Sequence, residues 1–104
     1  MTIVLVKFDE PIFDSAGSRY YAQAVGRQRD DGLWEGCLEF LPADIRRETI
    51  RSGRETTQPN RKTMEYWAQG LTRVYLLGAL ERALKSAPHL AKEREAFESR
   101  RRRD

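Results

Sequence analysis

A chain of 104 residues and 12.1 kDa has room for one hydrophobic core and none for a second, which excludes a multidomain enzyme. Its 39% hydrophobic and 34% charged residues make it more polar than an average globular chain, yet two Trp, four Tyr and four Phe hold it outside the disordered class. No run approaches the roughly 18–20 consecutive apolar residues that span a bilayer, and one cysteine with one histidine allows neither an internal disulfide nor a structural zinc site, so neither metal nor cofactor is expected.

The N-terminal apolar run Ile3–Val6 lacks a basic leader and is too short for a signal peptide, so a cytoplasmic location is expected. The formal charge of +3 conceals a gradient: residues 1–41 hold 4 basic and 7 acidic side chains, residues 42–104 hold 15 and 9. Such a gradient can hold an anionic partner against the C-terminal half or help two copies pack head to tail.

In chain order, Ile3–Phe8 is rich in β-branched residues and closed by Asp9-Glu10-Pro11, which predicts a first strand that Ile12-Phe13 extends. Asp14–Ser18 reads as a turn. Tyr20–Arg29 and Leu33–Leu41 flank Asp30-Asp31-Gly32, and Asp-Gly between two strand-like runs predicts a hairpin. Closure on Asp31-Gly32, or on Arg29–Gly32, puts Tyr21, Gln23, Val25 and Arg27 on one face with Trp34, Gly36, Leu38 and Phe40, expected to be the inner one. Arg27 or Arg29 could then lie over Trp34. The opposite face, with Ala22, Ala24, Gly26, Glu35, Cys37 and Glu39, is expected to meet solvent or form a thin contact with a partner.

Residues 42–59 show neither period and predict a long loop, with a short edge strand near Glu55-Thr56-Thr57. Asn60 can cap a helix over 61–69 carrying Met64, Trp67, Ala68 and Leu71 on one side. Thr72 can cap a second helix, whose stripe of Leu76, Leu77, Leu80, Ala83, Leu84 and Ala87 is wide enough for both the sheet and a neighbour. The expected fold is α+β: a small antiparallel sheet of about three or four strands with two C-terminal helices packed on one face. Residues 1–90 form the domain, and 91–104 a charged tail, frayed helix or disordered.

For chemistry, Arg46, Arg47, Arg51, Arg54, Arg61 and Lys62 fall within 17 residues, and Asn60 opens a helix whose first amides are unpaired. These seven residues are the candidate anion- or partner-binding set; the alternative is a solvated loop whose arginines pair with Glu48, Glu55 and the acidic N-terminal half. Arg47 and Arg51 have the RxxxR spacing of PilZ-type cyclic dinucleotide receptors, but the Asx-x-Ser-x-x-Gly that completes that motif downstream is missing, so the family is not assigned. Arg100, Arg101, Arg102 and Arg103 would add salt-dependent affinity for a polyanion as an accessory. His89 and Cys37 have no evident catalytic companion, and Cys37 reads as a small packing residue. The expected function is a non-enzymatic protein-interaction module, a homodimer or small subunit or adaptor of a larger assembly. The alternative is nucleotide or nucleic-acid binding through the basic 46–62 segment.

Overall fold

The computed structural model describes residues 1–86; His89, the Arg100–Arg103 run, the expected tail and the domain boundary at 90 lie outside the described residues. The central element is a hairpin of β3 (Arg19–Gln28) and β4 (Trp34–Pro42). A two-residue turn of the expected kind needs positive φ at both central positions, but of the turn residues only Gly32, at φ +90°, adopts it; Asp31 stays in the ordinary region. The loop therefore takes in a third residue. Arg29 N–H bonds the Leu33 carbonyl at 2.7 Å and Gly32 N–H the Arg29 carbonyl at 3.0 Å, enclosing Asp30-Asp31-Gly32.

That one residue changes the register. Ala22 faces Phe40, Ala24 faces Leu38, Gly26 faces Gly36 and Gln28 faces Trp34. The β4 half of the expected inner face, Trp34, Gly36, Leu38 and Phe40, is correct. The β3 half is inverted: Tyr20, Ala22, Ala24 and Gly26 turn inward, and Tyr21, Gln23, Val25 and Arg27 turn outward beside Leu41, Glu39, Cys37 and Glu35. A one-residue slip exchanges every side chain between faces.

Both edges are interrupted strands. β1 (Thr2–Lys7) and β2 (Ile12–Phe13) pair with the same side of β3, separated by Phe8–Pro11, with a bulge between Val4 and Val6. β5 (Ile50–Arg51) and β6 (Thr56–Gln58) likewise both pair with β4. Between them the buried Ser52 hydroxyl accepts the Leu38 N–H at 2.9 Å, filling a gap in the ladder. The sheet thus has six antiparallel strands rather than three or four, set in four rows, and residues 42–59 are an edge of the sheet with loops rather than one long loop. The edge strand expected near 55–57 is β6.

The helices form where capping and spacing place them. In α1 (Arg61–Gln69), the Asn60 side chain accepts the Thr63 N–H at 2.9 Å; in α2 (Arg73–Ser86), Thr72 Oγ1 accepts from Tyr75 N–H at 3.2 Å. α1 lies over β1, β4 and β6, and α2 over β2 and β5. Ile12, Tyr20, Ala22, Ala24, Leu38 and Phe40 of the sheet form one core with Ala68, Leu76, Ala79, Leu80 and Ala83 of the helices. Of the expected α2 stripe, Leu76, Leu80 and Ala83 are in this core and Leu77 and Leu84 pack against it, partly buried, while Ala87 lies outside the described residues. Glu55 ties the β5–β6 connection to α2, accepting from Tyr75 Oη and Arg82 Nη2, both at 2.7 Å. Among the described residues no helix is long and apolar enough to cross a membrane.

The small residues under α1 are a steric requirement. A methyl group at Gly36 would stand 2.7 Å from Trp67 Cζ3 and 2.8 Å from both Met64 Sδ and Thr56 Cγ2. Gly36→Ala is expected to destabilise by about 1–3 kcal/mol through overpacking, read as a lower urea midpoint. Gly53→Ala, where nothing lies within 4 Å, should stay within about 0.5 kcal/mol of the parent.

Candidate functional site

The helix-free face of the sheet carries the densest charge arrangement in the described residues. Cross-strand pairing sets Arg27 opposite Glu35 and Gln23 opposite Glu39. Arg27 Nη2 donates to Glu35 Oε2 at 3.0 Å. Arg29 Nη1 and Arg54 Nη1 stand 3.6 and 3.9 Å from Glu35 Oε1, outside hydrogen-bond range, while Arg29 also meets Asp31 at 2.9 Å. Three guanidiniums therefore gather round one carboxylate. One β4 level further but one, Glu39 accepts from Gln23 Nε2 at 2.8 Å and from Arg51 Nε at 3.1 Å, with Arg51 Nη2 on the same oxygen.

The charges are layered. The Glu35 and Glu39 side chains are 19% and 16% exposed, whereas Arg27, Arg51 and Arg54 are 57–60% exposed. Carboxylates form the floor and guanidinium donors point to solvent above them. Lys7 pairs with Gln23 on the same face, and Arg19 lies over the Tyr21 ring, 6.0 Å from its centroid. Even with Asp30 and Asp31 of the hairpin tip counted in, the face holds six cationic side chains, Lys7, Arg19, Arg27, Arg29, Arg51 and Arg54, against four carboxylates. The remaining described residues hold seven against eight. The open face is thus net positive, and cations from both chain halves meet on it: Lys7, Arg19, Arg27 and Arg29 from the acidic first 41 residues, Arg51 and Arg54 from the rest.

Between the two clusters Cys37 sits in a shallow depression of about 100 Å³, lined also by Thr2, Val25, Arg27 and Arg51. It adjoins an open trough of about 720 Å³ bordered by Arg27, Arg29, Asp31, Glu35 and Arg54. Burial pushes the Cys37 thiol above its ordinary range, and the charge of Arg51 offsets this only in part, so it is a protonated thiol at neutral pH.

The seven residues expected to bind an anion do not form one patch. Arg51 and Arg54 belong to the open face. Arg46 and Arg47 lie beyond the end of β4: Arg46 makes a two-pronged contact with Asp44 at 3.0 and 3.1 Å, and Arg47 stacks over Tyr20 at 5.7 Å, beside a separate cleft of about 400 Å³. Arg61 pairs with Glu65 at 3.1 Å, Lys62 lies over Tyr66, and Asn60 caps α1. Glu35 and Glu39 lie on the outward face as expected, whereas Arg27 and Tyr21, expected inside, and Arg29, a candidate to lie over Trp34, join them there. The signal that locates them is charge: only the observed register sets Arg27 against Glu35. With that register Arg27 and Arg29 turn to Glu35 instead of lying over Trp34, which sits on the helix side.

Comparison of the chain with protein-family models, with curated proteins and with solved structures finds no match to any of them. The class rests on the fold itself: an α+β protein whose antiparallel sheet is roofed by two helices on one side and charged on the other.

Burial alone would raise the Glu39 carboxyl, but hydrogen bonds from Arg51 and Gln23 and the charge of Arg51 outweigh it and hold Glu39 below the ordinary glutamate value, which is about 4.3. A carboxylate depressed on folding stabilises the native state above its unfolded pKa, and that contribution is lost as pH falls through the folded one. Wild type should therefore be more stable than Glu39→Gln at pH 7, with a smaller gap at pH 3, as measured by urea unfolding at the two pH values.

Proposed function

We propose that the protein is a non-enzymatic, cytoplasmic binding module that docks an anionic partner on the open face of its sheet. The observation that carries this is the layering: Arg27, Arg51 and Arg54 expose their guanidiniums above two sunken glutamates. Arg29 and Arg54 approach Glu35 without hydrogen-bonding it, so N–H donors remain for an incoming oxyanion. Exposed ion pairs of this type hold their partners by only about 0–1 kcal/mol, so an anion can reorganise them at small cost. The two glutamates meanwhile restrain the arginines and reduce their mutual repulsion in the unliganded state.

The potentially reactive groups of this face are held in resting forms, which favours binding over catalysis: the Cys37 thiol is protonated and Glu39 is an ionised, hydrogen-bonded carboxylate. Excess positive charge also opposes pairing of this face with a second copy of itself. The binding set is thus Arg51 and Arg54 from the 46–62 segment together with Arg27 and Arg29 from the hairpin.

Arg27→Ala/Arg54→Ala is expected to weaken binding to a short heparin oligosaccharide about tenfold at 0.1 M salt, whereas Arg61→Ala/Lys62→Ala on α1 leaves it within about twofold. Titration calorimetry measures both. Equal loss in the two variants, or none in the first, overturns the assignment to this face.

A further inference from the structure

We infer that the anionic partner is an extended single strand of nucleic acid lying along β3 and β4, from the Asp30–Gly32 tip toward Tyr21; this rests on the proposed anion-docking role of the face. Cationic groups occur at successive levels of the strands. Arg27, Arg29 and Arg54 surround Glu35, Arg51 stands at Glu39, and Arg19 with Tyr21 stands at the level of Leu41. Six residues separate Glu35 from Leu41, about 20 Å at the rise of a strand. A single phosphate or a mononucleotide can meet only one of these levels; a ligand that meets all three must be extended and charged along its length.

The aromatic group favours a nucleic acid over an acidic peptide. Tyr21 is 38% exposed on this face, close to exposed Leu41, which faces it across the strands. Its ring is already in contact with a guanidinium from Arg19, and a base can stack on such a platform, whereas a run of carboxylate side chains gains nothing from it. The cations are arginine at five of six positions, and the planar guanidinium fork matches phosphate oxygens in two-pronged fashion. Between the arginine levels lies the shallow Cys37 depression, which suits a backbone passing over it more than a peptide needing a pocket at alternate residues. A duplex keeps its bases stacked internally and cannot present one to Tyr21.

The test is fluorescence anisotropy on the full chain with labelled single-stranded U12 and dT12, a 12-base-pair DNA duplex and a 12-residue polyglutamate, across a salt series. Since the Arg100–Arg103 run attracts any polyanion, the readout is the change made by variants on the sheet face, each checked for folding by circular dichroism. Wild type is expected to bind the single strands at least tenfold more tightly than duplex or polyglutamate. Arg51→Ala and Arg54→Ala should each lower the slope of log affinity against log salt by about 0.7. Tyr21→Ala should weaken single-strand binding about tenfold with the slope unchanged. If polyglutamate or duplex binds as tightly as U12, or Tyr21→Ala has no effect while the arginine variants do, the nucleic-acid assignment falls and anion docking stands. If Arg51→Ala and Arg54→Ala change the affinity for none of the probes, both fall.

Discussion

The backbone at Asp31 determines more of this molecule than any single contact in its core. Asp31 keeps a negative φ, so it does not serve as one half of a two-residue turn with positive φ at both centres. The chain encloses three residues before Gly32 supplies the one left-handed conformation required. The first hairpin loop repeats the solution: Asp14 N–H bonds Ser18 carbonyl and Gly17 N–H bonds Asp14 carbonyl, both at 3.0 Å, round Ser15-Ala16-Gly17. The parity fixed at the second tip decides which side chains of β3 meet the helices. Alanines and glycines go under α1 and α2, where bulk cannot fit, and Arg27, Gln23 and Tyr21 go to the opposite face. The packing of the core and the composition of the candidate site follow from the same turn.

On the open face, the electrostatic design is one of restraint. Four arginines within a few strand levels would repel one another and destabilise the sheet if the floor beneath them were apolar. Glu35 and Glu39, set into that floor, lower the local potential without covering the guanidiniums, and Gln23 secures Glu39 from the other side. Val25 is only 3% exposed despite lying on this face, flanked by Val4 and Cys37 in the neighbouring strands. The charged layer therefore rests on a thin apolar one.

Much of the architecture was legible from local chemistry. Asn60 and Thr72 mark two helix starts because a short polar side chain satisfies amides that the first turn leaves unpaired. Met64, Ala68, Leu76, Leu80 and Ala83 lie inward because their spacing matches the helical period. What sequence order obscured was parity. Asp31-Gly32 has the composition of a tight turn, and alternation in β3 is nearly ambiguous, since Tyr20 and Tyr21 are adjacent and the other inward residues, Ala22, Ala24 and Gly26, are small. Tyr20 is fully buried, its hydroxyl donating to Asp14 Oδ2 at 3.3 Å. Spatial grouping of the arginines is obscured for a related reason: closeness in sequence is not closeness in space, and Arg46 and Arg54 are separated along most of the length of β4. The arginines that do converge come from the hairpin and from an edge strand that pairs with it.

The interruptions at Phe8–Pro11 and Gly53-Arg54 bear on how the protein behaves in a crowded solution. A lateral strand with a long uninterrupted row of free amides invites another chain to extend the sheet, and proteins that leave one exposed are prone to aggregate. Here each flank is cut into pieces of six residues or fewer, one of them bulged and preceding a proline, the other spliced by a serine hydroxyl. Lateral growth by strand addition is thereby disfavoured on both sides, which leaves the broad surfaces of the sheet, not its flanks, as the extended contact areas of the molecule.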